Sequence, residues 1–164
     1  MVNGFELSTQ ADALERPLMM RTLEKGPDMA IQPVEILLVE DNRLDVELAL
    51  SALRNHRLAN AVQVVRDGAE ALERLLDGTG RGEAKPYNPK LILLDLRLPK
   101  VDGLTVLQRI RSEPRTRDIP VFVLISSHEE RHLVDRAGLS VNGFIVKPVD
   151  LDSFTKALHS IGLY

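Results

Sequence analysis

From Val34 onward, short unbroken apolar runs alternate with segments whose apolar residues recur every three or four positions. Ile36-Leu37-Leu38-Val39 is the first run, and it ends in Glu40-Asp41. Leu44, Leu48, Ala52 and, less regularly, Leu53 then follow a helical period. Val62-Gln63-Val64-Val65 reads as a second strand. Ala69, Leu72, Leu75 and Leu76 read as a second helix, closed by Gly78. Residues 78–90 are rich in Gly, Pro and polar side chains and predict a loop. Leu91-Ile92-Leu93-Leu94 is a fully apolar strand ending at Asp95, and Leu104, Leu107 and Ile110 mark a third helix. Val121-Phe122-Val123-Leu124-Ile125 predicts a fourth strand, residues 128–137 a short polar helix, and Phe144-Ile145-Val146 a fifth strand. Leu151, Phe154, Leu158 and Ile161 form the stripe of a last helix.

This is a strand–helix unit repeated five times. Continuous apolar strands separated by helices imply a parallel sheet covered on both faces. Right-handed crossovers then give an α/β fold with a doubly wound, five-stranded parallel sheet. Ligands of such sheets bind beyond the carboxyl ends of the strands. Candidate chemistry is therefore sought at Glu40, Asp41, Asp95, Ser126, Ser127 and Lys147.

Residues 1–33 break the pattern. Asn3-Gly4, Arg16-Pro17, Gly26-Pro27 and Gln32-Pro33 interrupt them, although Leu7, Ala11, Leu14 and Leu18 have helical spacing. Two readings stay open for this extension: a flexible arm, or an arm that docks on a partner subunit. Residues 34–164 form the expected domain.

Composition narrows the class. The 164 residues suffice for one domain with a modest addition, and 44% hydrophobic with 27% charged residues is ordinary for a globular protein. A net charge of −3 gives no broad basic field for nucleic acid or a membrane surface. The absence of cysteine excludes disulfides, thiolate catalysis and thiolate metal sites. No apolar run approaches the roughly 20 residues of a membrane helix, and no basic segment followed by an apolar stretch marks a signal peptide. A cytoplasmic protein is the expectation.

Three carboxylates, Glu40, Asp41 and Asp95, would converge at one edge of this sheet. Two like charges 4 Å apart repel by about 4 kcal/mol at an effective dielectric of 20, so the cluster calls for a cation. Mg²⁺ suits it, because it takes hard oxygen ligands, keeps several waters and pairs with phosphates. Lys147, ending the fifth strand, would add a positive charge near Asp95. A carboxylate held between a divalent ion and an ammonium is set up to attack phosphorus, and the same charges neutralise a transferred phosphoryl group. As helix N-terminal charges, Glu40 and Asp41 could instead simply complement a dipole. That reading leaves the joint pattern with Asp95 and Lys147 unexplained.

At these residues the chain resembles the response-regulator receiver domains of two-component signalling. Leu37-Leu38-Val39-Glu40-Asp41-Asn42 is similar to their first strand with its acidic pair. Leu93-Leu94-Asp95-Leu96-Arg97-Leu98-Pro99, continuing to Asp102-Gly103, resembles their phosphoacceptor segment. Phe144-Ile145-Val146-Lys147-Pro148 resembles their terminal lysine motif. The resemblance covers about residues 34–163. It implies the (βα)5 flavodoxin-like receiver fold, with Asp95 as phosphoacceptor. It also implies Mg²⁺ on Asp41, Asp95 and the backbone carbonyl of Arg97, with Glu40 acting through water. Lys147 would contact the phosphoryl oxygens, often beside a cis bond to Pro148, and Phe144 matches an aromatic that moves between exposed and buried states.

One departure stands out. The family places Thr or Ser at the end of the fourth strand, where the hydroxyl binds the phosphoryl group, and an ungapped count from Asp95 puts Ile125 there. Ser126 follows, at the position whose backbone N–H serves the family as a phosphoryl donor. Either Ser126 shifts to offer its hydroxyl, or that hydrogen bond is missing and coupling to Phe144 is weakened or rewired. Ile125→Thr should then change phosphorylation-dependent partner binding; unchanged binding would sink this expectation. Arg97 and Ser127 match positions that tune loss of the phosphoryl group. Arg97 could shield the acyl phosphate, touch the kinase, or simply be a solvated surface residue.

Other motifs carry less. His128-Glu129-Glu130-Arg131-His132 fits the H-E-x-x-H zinc pattern, but only Asp135 stands near as a third ligand. It reads better as a polar, solvent-facing helix. Gly78-Thr79-Gly80-Arg81-Gly82 follows a helix and lacks a closing Gly-Lys-Ser/Thr, so it is no phosphate loop. Haloacid-dehalogenase-type phosphatases need a second Asp where this chain has Arg97.

Beyond Lys147 there is sequence for one helix only, so no output domain of its own is expected. The leading expectation is a phosphorylated switch or relay, not an enzyme acting on a separate substrate. It would be served by a sensor histidine kinase and signal through protein contacts. The Val39-to-Asn42 start, Asp45 and the long loop before the third strand are similar to stand-alone regulators paired with bacterial phytochrome kinases, commonly homodimers. The alternative is a phosphate-independent interaction module, favoured by Ile125.

Overall fold

The computed structural model describes residues 35–55, 62–77 and 87–163. The arm expected over 1–33 and the Gly78–Gly82 segment lie outside these residues. The elements alternate along the chain as β1 (Ile36–Val39), α1 (Arg43–Arg54), β2 (Val62–Val65), α2 (Gly68–Leu72), β3 (Leu91–Asp95), α3 (Gly103–Ser112), β4 (Val121–Ile125), α4 (His128–Ala137), β5 (Gly143–Val146) and α5 (Leu151–Ser160). All four strand pairings are parallel, and the sheet order is β2-β1-β3-β4-β5.

Burial explains why the strands read as unbroken apolar runs. Successive side chains of a strand point to opposite faces. Leu37, Val39, Ile92, Leu94, Val121 and Val123 pack on one face with Ala71 and Leu75, with Leu107 and Ile110 of α3, and with Val134 of α4. Ile36, Leu38, Leu91, Leu93, Phe122 and Leu124 pack on the other, with Val46 and Leu53 of α1 and Phe154 and Leu158 of α5. Both faces of β1, β3 and β4 are covered, so neither position of their alternation is polar until Asp95 closes β3. Each fully buried aliphatic side chain contributes about 1.5–3 kcal/mol.

Helix starts follow from local chemistry. Asn42, Asp67, Asp102 and Asp150 accept from the backbone N–H three residues on, satisfying a donor the helix itself leaves free. Ser127 does the same for α4, at 3.4 Å. One element departs from expectation: α2 continues as a π-helical turn over Glu73–Asp77. There the Arg74 carbonyl accepts from Tyr87 N at 2.9 Å instead of serving only its own helix.

The order of strands positions the site. The chain leaves β1 for β2 on one side and returns to β3 on the other, which opens a crevice at the carboxyl ends of β1 and β3. Glu40 follows β1, and Asp95 ends β3.

Candidate functional site

Glu40, Asp41 and Asp95 each place a carboxylate oxygen so that all lie within 4.8 Å of one another. Glu40 is fully buried and Asp95 nearly so, whereas Asp41 is exposed. Lys147 reaches the cluster from the turn after β5. Its Nζ lies 3.1 Å from Glu40 Oε2, 3.1 Å from Asp95 Oδ2 and 3.3 Å from Asp45 Oδ2. The Lys147 N–H donates to the Ile125 carbonyl at 2.8 Å, and the Lys147–Pro148 bond is cis, as the resemblance implied. Asp45, in the first turn of α1, is a fourth carboxylate here. Nothing in its spacing singled it out from other first-turn acids.

The charges are unevenly balanced. Burial pushes Glu40 up to about 7; the Asn42 N–H on its Oε1 opposes this, neighbouring Asp95 adds to it, and Lys147 opposes it. The folded chain therefore keeps a proton that the unfolded chain has lost. Stability on this account falls as pH rises from about 4.5, the ordinary glutamate value, and the loss is complete above about 7. Burial works against the charge of Lys147, but Asp95 and Glu40 outweigh it and hold the ammonium above the ordinary lysine value. Clustered hard oxygens, with a glutamate reluctant to ionise, form a donor set that fits Mg²⁺ or a similar divalent ion.

The loop after β3 holds Asp95 in place. The Arg97 N–H donates to Asp95 Oδ1 at 3.3 Å. The Gly103 N–H donates to the Leu96 carbonyl at 2.8 Å, folding the loop back so that α3 starts against Asp95. Lys100, with φ 67°, turns the loop, and its ammonium meets Asp67 at 3.1 Å.

The far side of the site was read only in part. Ile125 is buried at the end of β4, and its hydrocarbon side chain offers no hydrogen bond. Ser126 is exposed, and its N–H donates to Glu130 Oε2 at 2.6 Å. The structure exposes most of α4, as read, but Glu130 and Val134 are buried. The sequence did carry a signal, since Ser127-x-x-Glu130 has the spacing of a capping box. His128 and His132 are exposed, and among the described residues the only group of carboxylate and histidine side chains close enough for a metal is Glu40, Asp41 and Asp95. Phe144 is half-buried, with the Arg131 guanidinium 4.9 Å from its ring centre.

Residues 36–159 match the response regulator receiver domain. The chain belongs to this family. Among solved structures it is similar to the bacteriophytochrome response regulator RtBRR, with 49% identity, a TM-score of 0.71, and 79% of this chain and 78% of that one covered. It is similar to the phosphorylated cyanobacterial phytochrome response regulator RcpA, with 41% identity, a TM-score of 0.63, and 77% and 89% covered. The Mn²⁺-bound form of response regulator Rcp1 is 38% identical, with a TM-score of 0.65 and 80% and 95% covered. The receiver carries the acidic cluster, and the structures it resembles include phytochrome response regulators. No helix among its described residues is long and apolar enough to cross a membrane.

Proposed function

We propose that this receiver accepts a phosphoryl group on Asp95 from a partner sensor histidine kinase, of bacteriophytochrome type, in a Mg²⁺-dependent reaction in the cytoplasm. The observation that carries this reading is the joint placement of Asp95: Lys147 stands at 3.1 Å, and oxygens of Glu40 and Asp41 lie within 4.8 Å. The relatives support it. One is a phosphorylated phytochrome response regulator and another is the Mn²⁺-bound response regulator Rcp1.

An Asp95 carboxylate oxygen forms the O–P bond as the P–N bond of the donor's phosphohistidine breaks. The imidazole leaves with the electron pair and takes up a proton. Glu40, Asp41, Asp95 and the Arg97 carbonyl would hold Mg²⁺, which supplies positive charge to the phosphoryl oxygens. Lys147 sits ready to move from its carboxylate partners to the phosphoryl group, and the Arg97 N–H fixes the non-attacking Asp95 oxygen. Catalysis is the receiver's own and is spent on itself. Its output is read through protein contacts, and a homodimer is part of the proposal. Leu133, Val146 and Leu151 offer exposed apolar surface on α4, β5 and α5.

Intact mass after incubation with acetyl phosphate tests this. One phosphate adduct is expected, dependent on Mg²⁺ and absent from Asp95→Asn. A folded wild type that takes no adduct would instead make the chain a phosphate-independent interaction module, the reading that Ile125 favours.

A further inference from the structure

Glu130 is a buried carboxylate that phosphoryl transfer does not use. Its side chain is 4% exposed, while that of its ion-pair partner Arg97 is 76% exposed. Arg97 Nε comes within 2.7 Å of Glu130 Oε1, but this oxygen has no hydrogen-bond partner, so the pair lacks hydrogen-bond alignment. The other oxygen takes the Ser126 N–H at 2.6 Å. Burying a carboxylate with one oxygen poorly satisfied is costly, and an exposed arginine repays little of that cost. The arrangement is a held contact that a better anion could displace.

Its two donors sit next to the reaction. Arg97 lies two residues beyond Asp95 and donates its own N–H to Asp95 Oδ1. Ser126 follows β4, whose Leu124 is in register with Asp95 on β3. An unbroken series of contacts therefore runs Asp95–Arg97–Glu130–Ser126. A guanidinium and a backbone N–H are also what phosphoryl oxygens bind best. In the unmodified receiver both are engaged by a carboxylate of α4.

We propose that Glu130 is a built-in competitor of the phosphoryl group, holding Arg97 and the Ser126 N–H while Asp95 is free and surrendering them when Asp95 is phosphorylated. This inference rests on Asp95 being the phosphoacceptor. Phosphorylation adds about two negative charges and three acceptor oxygens beside these donors. It repels Glu130 and outbids it for both. The displaced carboxylate frees the first turn of α4. The next residue, Arg131, lies over the Phe144 ring, so movement of that turn loosens the cover on Phe144. Glu130 thus supplies the coupling that Ile125, a buried hydrocarbon, cannot. Glu130 is a positioning residue: it touches none of the reacting atoms.

The test compares the unsubstituted chain with Glu130→Gln, which keeps the shape and an acceptor oxygen but removes the charge, and with Glu130→Ala. Two readouts are taken: the rate of phosphate adduct formation with acetyl phosphate and Mg²⁺ by intact mass, and amide hydrogen exchange across residues 126–137. Adduct formation in Glu130→Gln should be about threefold to tenfold faster than in wild type. Exchange over 126–137 should rise on phosphorylation of wild type, and unphosphorylated Glu130→Ala should already exchange at that faster level. If Glu130→Ala fails to fold, the Glu130→Gln rate and the wild-type exchange decide alone. Adduct formation in wild type, with an unchanged rate in Glu130→Gln and unchanged exchange on phosphorylation, overturns the Glu130 inference and leaves Asp95 as phosphoacceptor. Adduct on Glu130→Gln but none on wild type supports it as a tighter block. No adduct on either folded protein refutes the phosphoacceptor reading, and the competitor role falls with it.

Discussion

Gly103→Ala should cost the receiver about 3 kcal/mol of stability and slow acquisition of phosphate at Asp95. At an ordinary helix position the change would favour folding, since alanine gains roughly 0.5–1 kcal/mol over glycine. Here a Cβ would be driven into the Asp95 carbonyl oxygen and stand 2.5 Å from Leu96 Cα and 3.0 Å from the Asp95 carbonyl carbon. All three are backbone atoms, so no side chain can swing aside. The helix must back away or the Asp95–Leu96 turn must shift. Overpacking of this kind typically costs 1–3 kcal/mol, and more where nothing yields. The steric loss therefore exceeds the helical gain, and the melting temperature should drop by about 10 °C. The Gly103 N–H bond to Leu96, which folds the loop back, should stretch with it. A control is Gly138→Ala, where φ is +64° but nothing lies within 4 Å of the added Cβ. That change should cost only about 1 kcal/mol, from backbone strain alone. If the two variants melt together, close approach to Asp95 is not what glycine serves at 103.

The Asp102-Gly103 pair illustrates what the sequence made legible. Apolar runs gave the strands, most cleanly for β1, β3 and β4, which are buried on both faces, because an uninterrupted run has few other uses. Strand ends then indicated Glu40, Asp41, Asp95 and Lys147, since a parallel sheet delivers all its carboxyl ends to one edge. The contacts that local pattern could not supply depend on side-chain reach across the sheet. Asp45 meets Lys147 over a separation of 102 residues, and periodicity says nothing about such pairs. Glu130 sits in a helix with few apolar residues, so its stripe pointed to solvent. It is buried because it lies one turn before Val134, on the face of α4 that meets the sheet. The π turn after α2 was invisible for a related reason: it answers to Tyr87, beyond the loop, rather than to its own residues. The family comparison and the physical reading agree at the acidic cluster. They part at Ile125, where the structure shows a different residue, Glu130, engaging the neighbouring backbone N–H.

Lys147→Met should destabilise the metal-free receiver by about 3 kcal/mol at pH 8, and Mg²⁺ should restore most of that loss. Methionine keeps most of the length of the side chain and removes its charge. In the native site the Lys147 side chain is 12% exposed and its ammonium meets three carboxylates within 3.3 Å. Among the described residues it is the only cation within ion-pair distance of Glu40 or Asp95. Removing one partner of a buried ion pair costs about 3–5 kcal/mol, because the charges left behind have lost their compensation. The lower end applies here, since Glu40, already up to about 7, can escape part of the penalty by taking a proton. At pH 8 that escape is incomplete, whereas at pH 6 it is cheap, so the deficit against wild type should shrink as pH falls. A divalent cation acts on the same charges. Binding only the folded form stabilises it by about 2.7 kcal/mol at a hundred times the dissociation constant, and the variant's uncompensated carboxylates should bind it more tightly than those of wild type. Thermal melts with and without Mg²⁺ check this: the ion should raise the melting temperature of Lys147→Met more than that of wild type. Equal shifts would mean that Lys147 and the metal do not share one field, and that the cluster around Asp95 is not the electrostatic unit its distances describe.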